Sequence, residues 1–223
     1  MMTATPWQPF VPSLALHALG DHHESSIAQK KVRNIAALFV DIVGCTRQCE
    51  DLDAQEMNEV IETYFSQYLD AVRNCDGEVT EFLGDGLLAL FEGGELATSI
   101  SAAIRATERI RESTALLNAQ RSRLNDPIEL HIGLNAGQAL TGVVRLNGQS
   151  GERWFYAANG PVTNIAAHLC ALARSGQALT TRAVASMMPG EYTFAPLGLQ
   201  NLKNVSRPVD VVQFSLPTAK STC

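Results

Sequence analysis

The sequence predicts an α+β domain built on a largely antiparallel sheet. Apolar runs of strand length alternate with stretches whose apolar residues recur every three or four positions. Several strand-like runs are joined through short glycine-containing turns, which make hairpins rather than parallel crossovers. At 223 residues the chain suffices for one sizeable core and is short for two.

The elements follow in order. Pro6, Pro9 and Pro12 break any early helix, Leu14 to Leu19 allow a short one, and Asp21 to Ser26 is a polar linker. His22 and His23 read as part of that solvated linker rather than as a metal site. Ile35 to Val40 is continuously apolar, as a central strand buried on both faces requires. It ends at Asp41. A helix is predicted to start near Asp53, with Glu56 three positions on to complete a capping box. Met57, Val60, Ile61, Tyr64, Phe65, Tyr68 and Val72 supply its apolar face.

Glu78–Leu83 and Leu87–Phe91 read as a hairpin turning through Gly84-Asp85-Gly86. A second amphipathic helix is predicted from about Leu96 to Asn118, and 121–126 is a polar loop before Pro127. Ile128–Asn135 and Ala139–Leu146 look like another strand pair around Gly137, followed by a loop over Asn147–Arg153. A third helix covers roughly Pro161 to Ala173. Short strands at Ala178–Thr180 and Tyr192–Ala195 lead to a last hairpin ending in Val209–Phe214.

Composition narrows the function classes. Hydrophobic residues make up 46% and charged residues 18%, the profile of a globular chain and not a disordered one. A formal net charge of −6 argues against a nucleic-acid-binding surface. No apolar run reaches membrane-spanning length, and the N-terminus lacks a secretory signal pattern, so a cytoplasmic location is expected. Cys45, Cys49, Cys75, Cys170 and Cys223 are scattered and odd in number, which suits reduced thiols better than a disulfide framework.

Two aspartates stand out. Asp41 terminates an apolar strand and Asp85 sits in a glycine turn. Paired carboxylates at strand ends are hard oxygen ligands for magnesium, with substrate phosphates completing the shell. The stretch from Ile42 through Val43, Gly44, Cys45 and Thr46 offers backbone N–H groups suited to polyphosphate oxygens.

Leu38-Phe-Val-Asp41-Ile-Val-Gly-Cys-Thr46 resembles the first-strand motif of class III adenylyl and guanylyl cyclases, and Glu81-Phe-Leu-Gly-Asp85-Gly-Leu-Leu-Ala-Leu-Phe91 resembles their metal-binding hairpin. His131 to Gly137, Gly160 to Ala166 and Leu202 to Val205 resemble later family segments, in family order. The resemblance covers about Val32 to Phe214. It implies a ferredoxin-like βαββαβ core with extra C-terminal strands, residues 32–217 being the catalytic domain, 1–31 a linker and 218–223 a tail.

The resemblance also implies an activity. Such enzymes form head-to-tail dimers and convert a nucleoside triphosphate to its 3′,5′-cyclic monophosphate and pyrophosphate, using two Mg²⁺ or Mn²⁺ ions. By this likeness Asp41, Asp85 and the Ile42 backbone hold the metals, Asn164 of the other protomer orients the ribose, and Lys203 meets the terminal phosphate. The family's arginine one turn after that asparagine is here His168, which lacks a guanidinium fork. Loss of such a donor costs about 10² to 10³ in rate. Arg174 or Arg153 are candidate substitutes.

For the base, Glu81 stands where many adenylyl cyclases carry Lys and many guanylyl cyclases Glu, and Ala157 where adenylyl enzymes often carry Asp or Thr. A carboxylate matches the N1–H and amino group of guanine. ATP stays marginally ahead of GTP on the abundance of ATP cyclases. Trp154, Phe155 and Tyr156, beside the expected base pocket, leave a UTP or CTP cyclase open, and His168 with Ala157 leaves a regulatory pseudo-cyclase open.

Overall fold

The computed structural model describes residues 30–43, 53–120, 127–149, 151–174 and 176–215, the side chains of 152–154 excepted. The chain runs β1 (Lys31–Val43), α1 (Ala54–Arg73), β2 (Gly77–Leu83), β3 (Gly86–Phe91), α2 (Leu96–Gln120), β4 (Glu129–Gly148), β5 (Gly151–Asn159), α3 (Pro161–Leu172), β6 (Ala178–Thr181), α4 (Arg182–Ala185), β7 (Thr193–Gln200) and β8 (Val209–Ser215). The first six elements are the expected βαββαβ core. The sheet order is β2-β3-β1-β4-β6-β8-β7, with β5 paired to β4. Its pairs are antiparallel except β4 with β6.

β1 is central, and alternation sends its side chains to two cores. Ala36, Leu38, Val40 and Ile42 meet α1 and α2, whereas Ile35 and Ala37 pack with Leu88, Leu90, Tyr156, Val162 and Ala166 under α3 and β5. Asp41 therefore belongs to the α3 face. Burial on both faces is why this strand is apolar without alternation.

Local signals fix where α1 begins. Asp53 Oδ1 accepts from the Gln55 and Glu56 N–H groups at 2.8 Å, and Glu56 Oε2 accepts from the Asp53 N–H at 3.2 Å, which completes the expected capping box. Tyr64 and Tyr68, one turn apart and fully buried, place their hydroxyls 2.8 Å from Asn118 and Thr114 on α2. Asn118 also bonds both backbone groups of Ile128, tying α2 to the approach of β4.

The fourth strand departs from expectation. Residues read as two strands around Gly137 form one strand of 20 residues, and the expected 147–153 loop shrinks as β4 runs to Gly148 and β5 starts at Gly151. Gly137 serves packing, not a turn: a Cβ there would lie 3.2 Å from Val162 Cγ2 at the start of α3. The reversal comes where Gly148 pairs with Gly151. Among the described residues no helix is long and apolar enough to cross a membrane, and Cys75 and Cys170 are buried free thiols.

Candidate active site

Strand geometry brings Asp41 and Asp85 together. Asp41 pairs with Gly86 across the β1–β3 ladder, and the Ile42 N–H donates to the Asp85 carbonyl at 3.0 Å. Gly84, at φ 66°, supplies the positive φ of a two-residue hairpin turn. A Cβ on Gly86 would sit 3.1 Å from Asp41 Oδ1 and 3.3 Å from the Val40 carbonyl, so glycine there leaves room for the carboxylate.

The two carboxyl groups lie within hydrogen-bonding reach of each other. Burial, then the Asp85 charge and hydrogen bond, push the Asp41 carboxyl from 3.8 up to about 6. Two carboxylates held in contact repel unless a proton or a cation lies between them. As hard oxygen donors they fit a divalent ion. Among the described residues no third His, Cys, Asp or Glu joins them, and backbone carbonyls are the nearest further oxygen donors of the chain. In an antiparallel ladder a residue's N–H and C=O face the same neighbour. The Ile42 carbonyl is thus aimed toward the hairpin that carries Asp85.

Glu81 reaches the same face through an irregularity. Val79 pairs with Ala89 but Glu81 pairs with Leu88, so the ladder gains one residue at Thr80. Val79 lies in the α1–α2 core, whereas Leu88 lies in the α3-side core. The bulge turns Glu81 onto the Asp41 face and leaves Phe82 against Phe65 of α1, ring centroids 5.6 Å apart. Glu81 is exposed there.

The other expected residues lie farther along. Val43 closes β1, and Gly44, Cys45 and Thr46 fall outside the described residues, as do His22 and His23. Asn164 is exposed on α3 with His168 one turn on, half-buried. The Val162 carbonyl accepts from Asn135 Nδ2, which places Asn164 near the level of Asn135 on β4. Asp41 is level with His131. Four strand residues, about 13 Å, separate the Asn135 and His131 levels, and Asn164, two residues past Val162 toward Cys170, lies about 10 Å from the Asp41 level. Lys203 is exposed in the β7–β8 connection, beyond the Gln200–Val209 pair and toward the same remote end.

Arg174 lies past the end of α3, its N–H on Gln177 Oε1, and so is not beside Asn164. The Arg153 and Trp154 side chains are not among those described. Ala157 lies between Tyr156 and Ala158, both turned into the α3-side core, so it points away from that core. Tyr156 is a correction: 3% exposed, it hydrogen-bonds Glu92 at 2.7 Å and Arg33 at 2.9 Å and offers no ring to a base pocket.

Sequence reasoning passed over Gly133 and Cys170. A Cβ on Gly133 would meet the Ala166 carbonyl oxygen at 2.1 Å and the Cys170 nitrogen at 2.4 Å, so α3 rests directly on the β4 backbone. An interior strand glycine is itself a signal of close backbone approach. The Cys170 thiol, 5% exposed, donates to the His131 carbonyl at 3.3 Å. Burial, and the nearby Asp41, push the thiol up to about 12. Burial holds the His131 imidazole below its ordinary range.

Comparison with known proteins shows a family and a fold. Residues 27–216 match the family model described as adenylate and guanylate cyclase catalytic domain. An uncharacterised protein of Mycobacterium tuberculosis is 33% identical over 143 residues, 64% of this chain and 24% of that protein. Adenylate cyclase 1 of Rhizobium meliloti is 25% identical over 188 residues, 81% of this chain and 27% of its own length. The chain thus spans about a quarter of these curated relatives. In fold it resembles the adenylyl cyclase CyaB from P. aeruginosa, with TM-score 0.77, 21% identity, and coverage of 86% of this chain and 98% of that one. It also resembles the guanylyl cyclase Cya2, with TM-score 0.72, 22% identity, and coverage of 86% and 97%.

Proposed function

This chain belongs to the family of adenylate and guanylate cyclase catalytic domains, and on that premise we propose that it cyclises a purine nucleoside triphosphate to the 3′,5′-cyclic monophosphate and pyrophosphate. The observation that carries this reading is the Asp41–Asp85 contact at the end of β1. Two like charges in contact at a part-buried edge cost stability, and a bound cation removes that cost.

Asp41, Asp85 and the Ile42 carbonyl are the groups that would hold two Mg²⁺ or Mn²⁺ ions. Bound there, divalent cations favour deprotonation of the attacking hydroxyl and neutralise charge on the triphosphate. The ribose 3′-oxygen forms a bond to the α-phosphorus while the bond to the bridging oxygen breaks and pyrophosphate leaves; the hydroxyl proton passes to solvent. Val43, with 44–46 after it, cradles phosphate oxygens through backbone N–H groups. Asn164 orients the ribose, His168 donates to the α-phosphate, and Lys203 meets the terminal phosphate.

One chain does not gather these groups. Asn164 lies about 10 Å along the sheet from Asp41, and Lys203 lies beyond it toward that remote end. A second copy packed head to tail brings the Asp41 end of one protomer to the Asn164 end of the other. This spacing supports reading the site as composite, shared between two copies in a homodimer.

Base choice rests on Glu81 and Ala157. ATP is the first substrate to test, and GTP stands beside it because the Thr80 bulge turns a carboxylate suited to guanine onto the Asp41 face. Incubation with Mg²⁺ or Mn²⁺ and ATP, GTP, CTP or UTP separately, with products identified by mass spectrometry, tests the proposal. A cyclic monophosphate from ATP or GTP supports it, and one from CTP or UTP alone would overturn the purine assignment in favour of a pyrimidine cyclase. A folded, nucleotide-binding dimer that yields none from any of the four refutes it in favour of a regulatory module.

A further inference from the structure

The α3 face carries one contact that neither substrate nor metal binding accounts for. Asp41 lies directly across the β1–β4 ladder from His131, and paired residues project from the same face. From α3, the Cys170 thiol reaches down to the His131 carbonyl. It can do so only because Gly133 has no side chain: any Cβ there would collide with the backbone of Ala166 and Cys170. The buried thiol is thus seated on the residue that faces Asp41 across the ladder, on the β4 side and away from Asp85 and the hairpin.

We propose that Gly133 and Cys170 form a seat for Asp41, Cys170 being a positioning residue that holds the Asp41 carboxylate in its metal-binding orientation. The inference rests on the reading of Asp41 as a metal ligand. The thiol touches no substrate. It fills the volume into which the carboxylate would otherwise rotate, and it excludes water from that side. A neutral, weakly polar wall is the choice that neither competes for the cation nor pairs with Asp41. A serine would keep the size and the donor to His131. An alanine would open a gap of about one heavy atom, and supporting groups around metal ligands typically contribute about 10- to 100-fold in metal affinity.

The test is Mn²⁺ affinity of the full chain, read by electron paramagnetic resonance with 3′-deoxy-ATP or 3′-deoxy-GTP present. These analogues lack the attacking oxygen, so turnover does not enter. Expected are a loss of about tenfold in Mn²⁺ affinity for Cys170→Ala, parent-like affinity for Cys170→Ser, and nucleotide affinity at saturating Mn²⁺ unchanged in both. Gly133→Ala, which lifts α3 while keeping the thiol, should lose Mn²⁺ affinity as well. A merely structural role would lower Tm without separating metal from nucleotide. Parent-like Mn²⁺ affinity in folded Cys170→Ala overturns the seat alone. Absence of Mn²⁺ binding in the parent chain overturns both the seat and the metal-site reading beneath it.

Discussion

The α3 face of the sheet has charged groups at both ends, and the two ends treat charge in opposite ways. At one end Asp41 and Asp85 press like charges together, and the Asp41 carboxyl is driven up to about 6. At the other, eight ladder positions away, the Arg33 guanidinium pairs with Glu92, and the Tyr156 hydroxyl bridges them. The remote cluster is internally paired: the Arg33 and Glu92 formal charges cancel, and the Tyr156 hydroxyl accepts from Arg33 and donates to Glu92. The carboxylate pair is complete only when something positive arrives. Satisfied buried networks specify structure, and frustrated ones mark sites of binding and chemistry. On this reading the electrostatics point to the Asp41 end as the one that takes the cation.

The comparison can be broken most directly by mutation at each end. Asp41→Ala or Asp85→Ala should lower kcat about 10³-fold or more while the dimer stays folded. Mixing Asp85→Ala with Asn164→Ala protomers should return activity through one intact composite site. Near-normal cyclisation by either aspartate variant, or no recovery in heterodimers shown to form, would remove the distinction. His168→Arg should raise kcat about 10²-fold if it restores the charged donor, measured at saturating nucleotide and metal.

At the satisfied end the effect belongs in stability. Glu92→Gln should cost about 2 kcal/mol by denaturant melts and leave kcat unchanged, since it leaves Arg33 beside a neutral amide. The smallest effect sharpens the contrast by its sign. A carboxyl raised in the folded state burdens the fold once it must ionise, so the burden is absent below about pH 4, grows through the interval to about 6 and is constant above it. Asp41→Asn should therefore stabilise the metal-free chain by about 1 kcal/mol at pH 7 after allowance for solvent screening, and by nothing at pH 3.5. A stabilisation independent of pH would refute the assignment.

How much was legible in the sequence followed the range of the interactions. The α1 start was legible because Asp53 and Glu56 are three residues apart and act on each other's backbone. Asp41 and Asp85 were legible because one ends an apolar run and the other sits in a glycine turn. The Arg33–Glu92–Tyr156 cluster was not, since its members are 59 to 123 residues apart and nothing local marks them. Gly137 misled for a related reason: its glycine answers to Val162 on another element, whereas the sequence offers only its neighbours as an explanation. The bulge at Thr80 was hidden because an extra residue in a ladder leaves no trace in one strand read alone. The face assigned to Glu81 depends on that residue.

Thr80 has a consequence for how such a hairpin can vary in length. The strand carries one more residue than its partner's spacing needs, and the surplus is absorbed before Glu81. Losing Thr80 would leave Val79 and Glu81 adjacent on opposite faces, as a regular strand has them anyway. Losing Phe82 or Leu83 instead would change which side chains face inward near the turn. Position 80 is thus a slack point, where deletion spares the orientation of everything downstream and the next residues tolerate none.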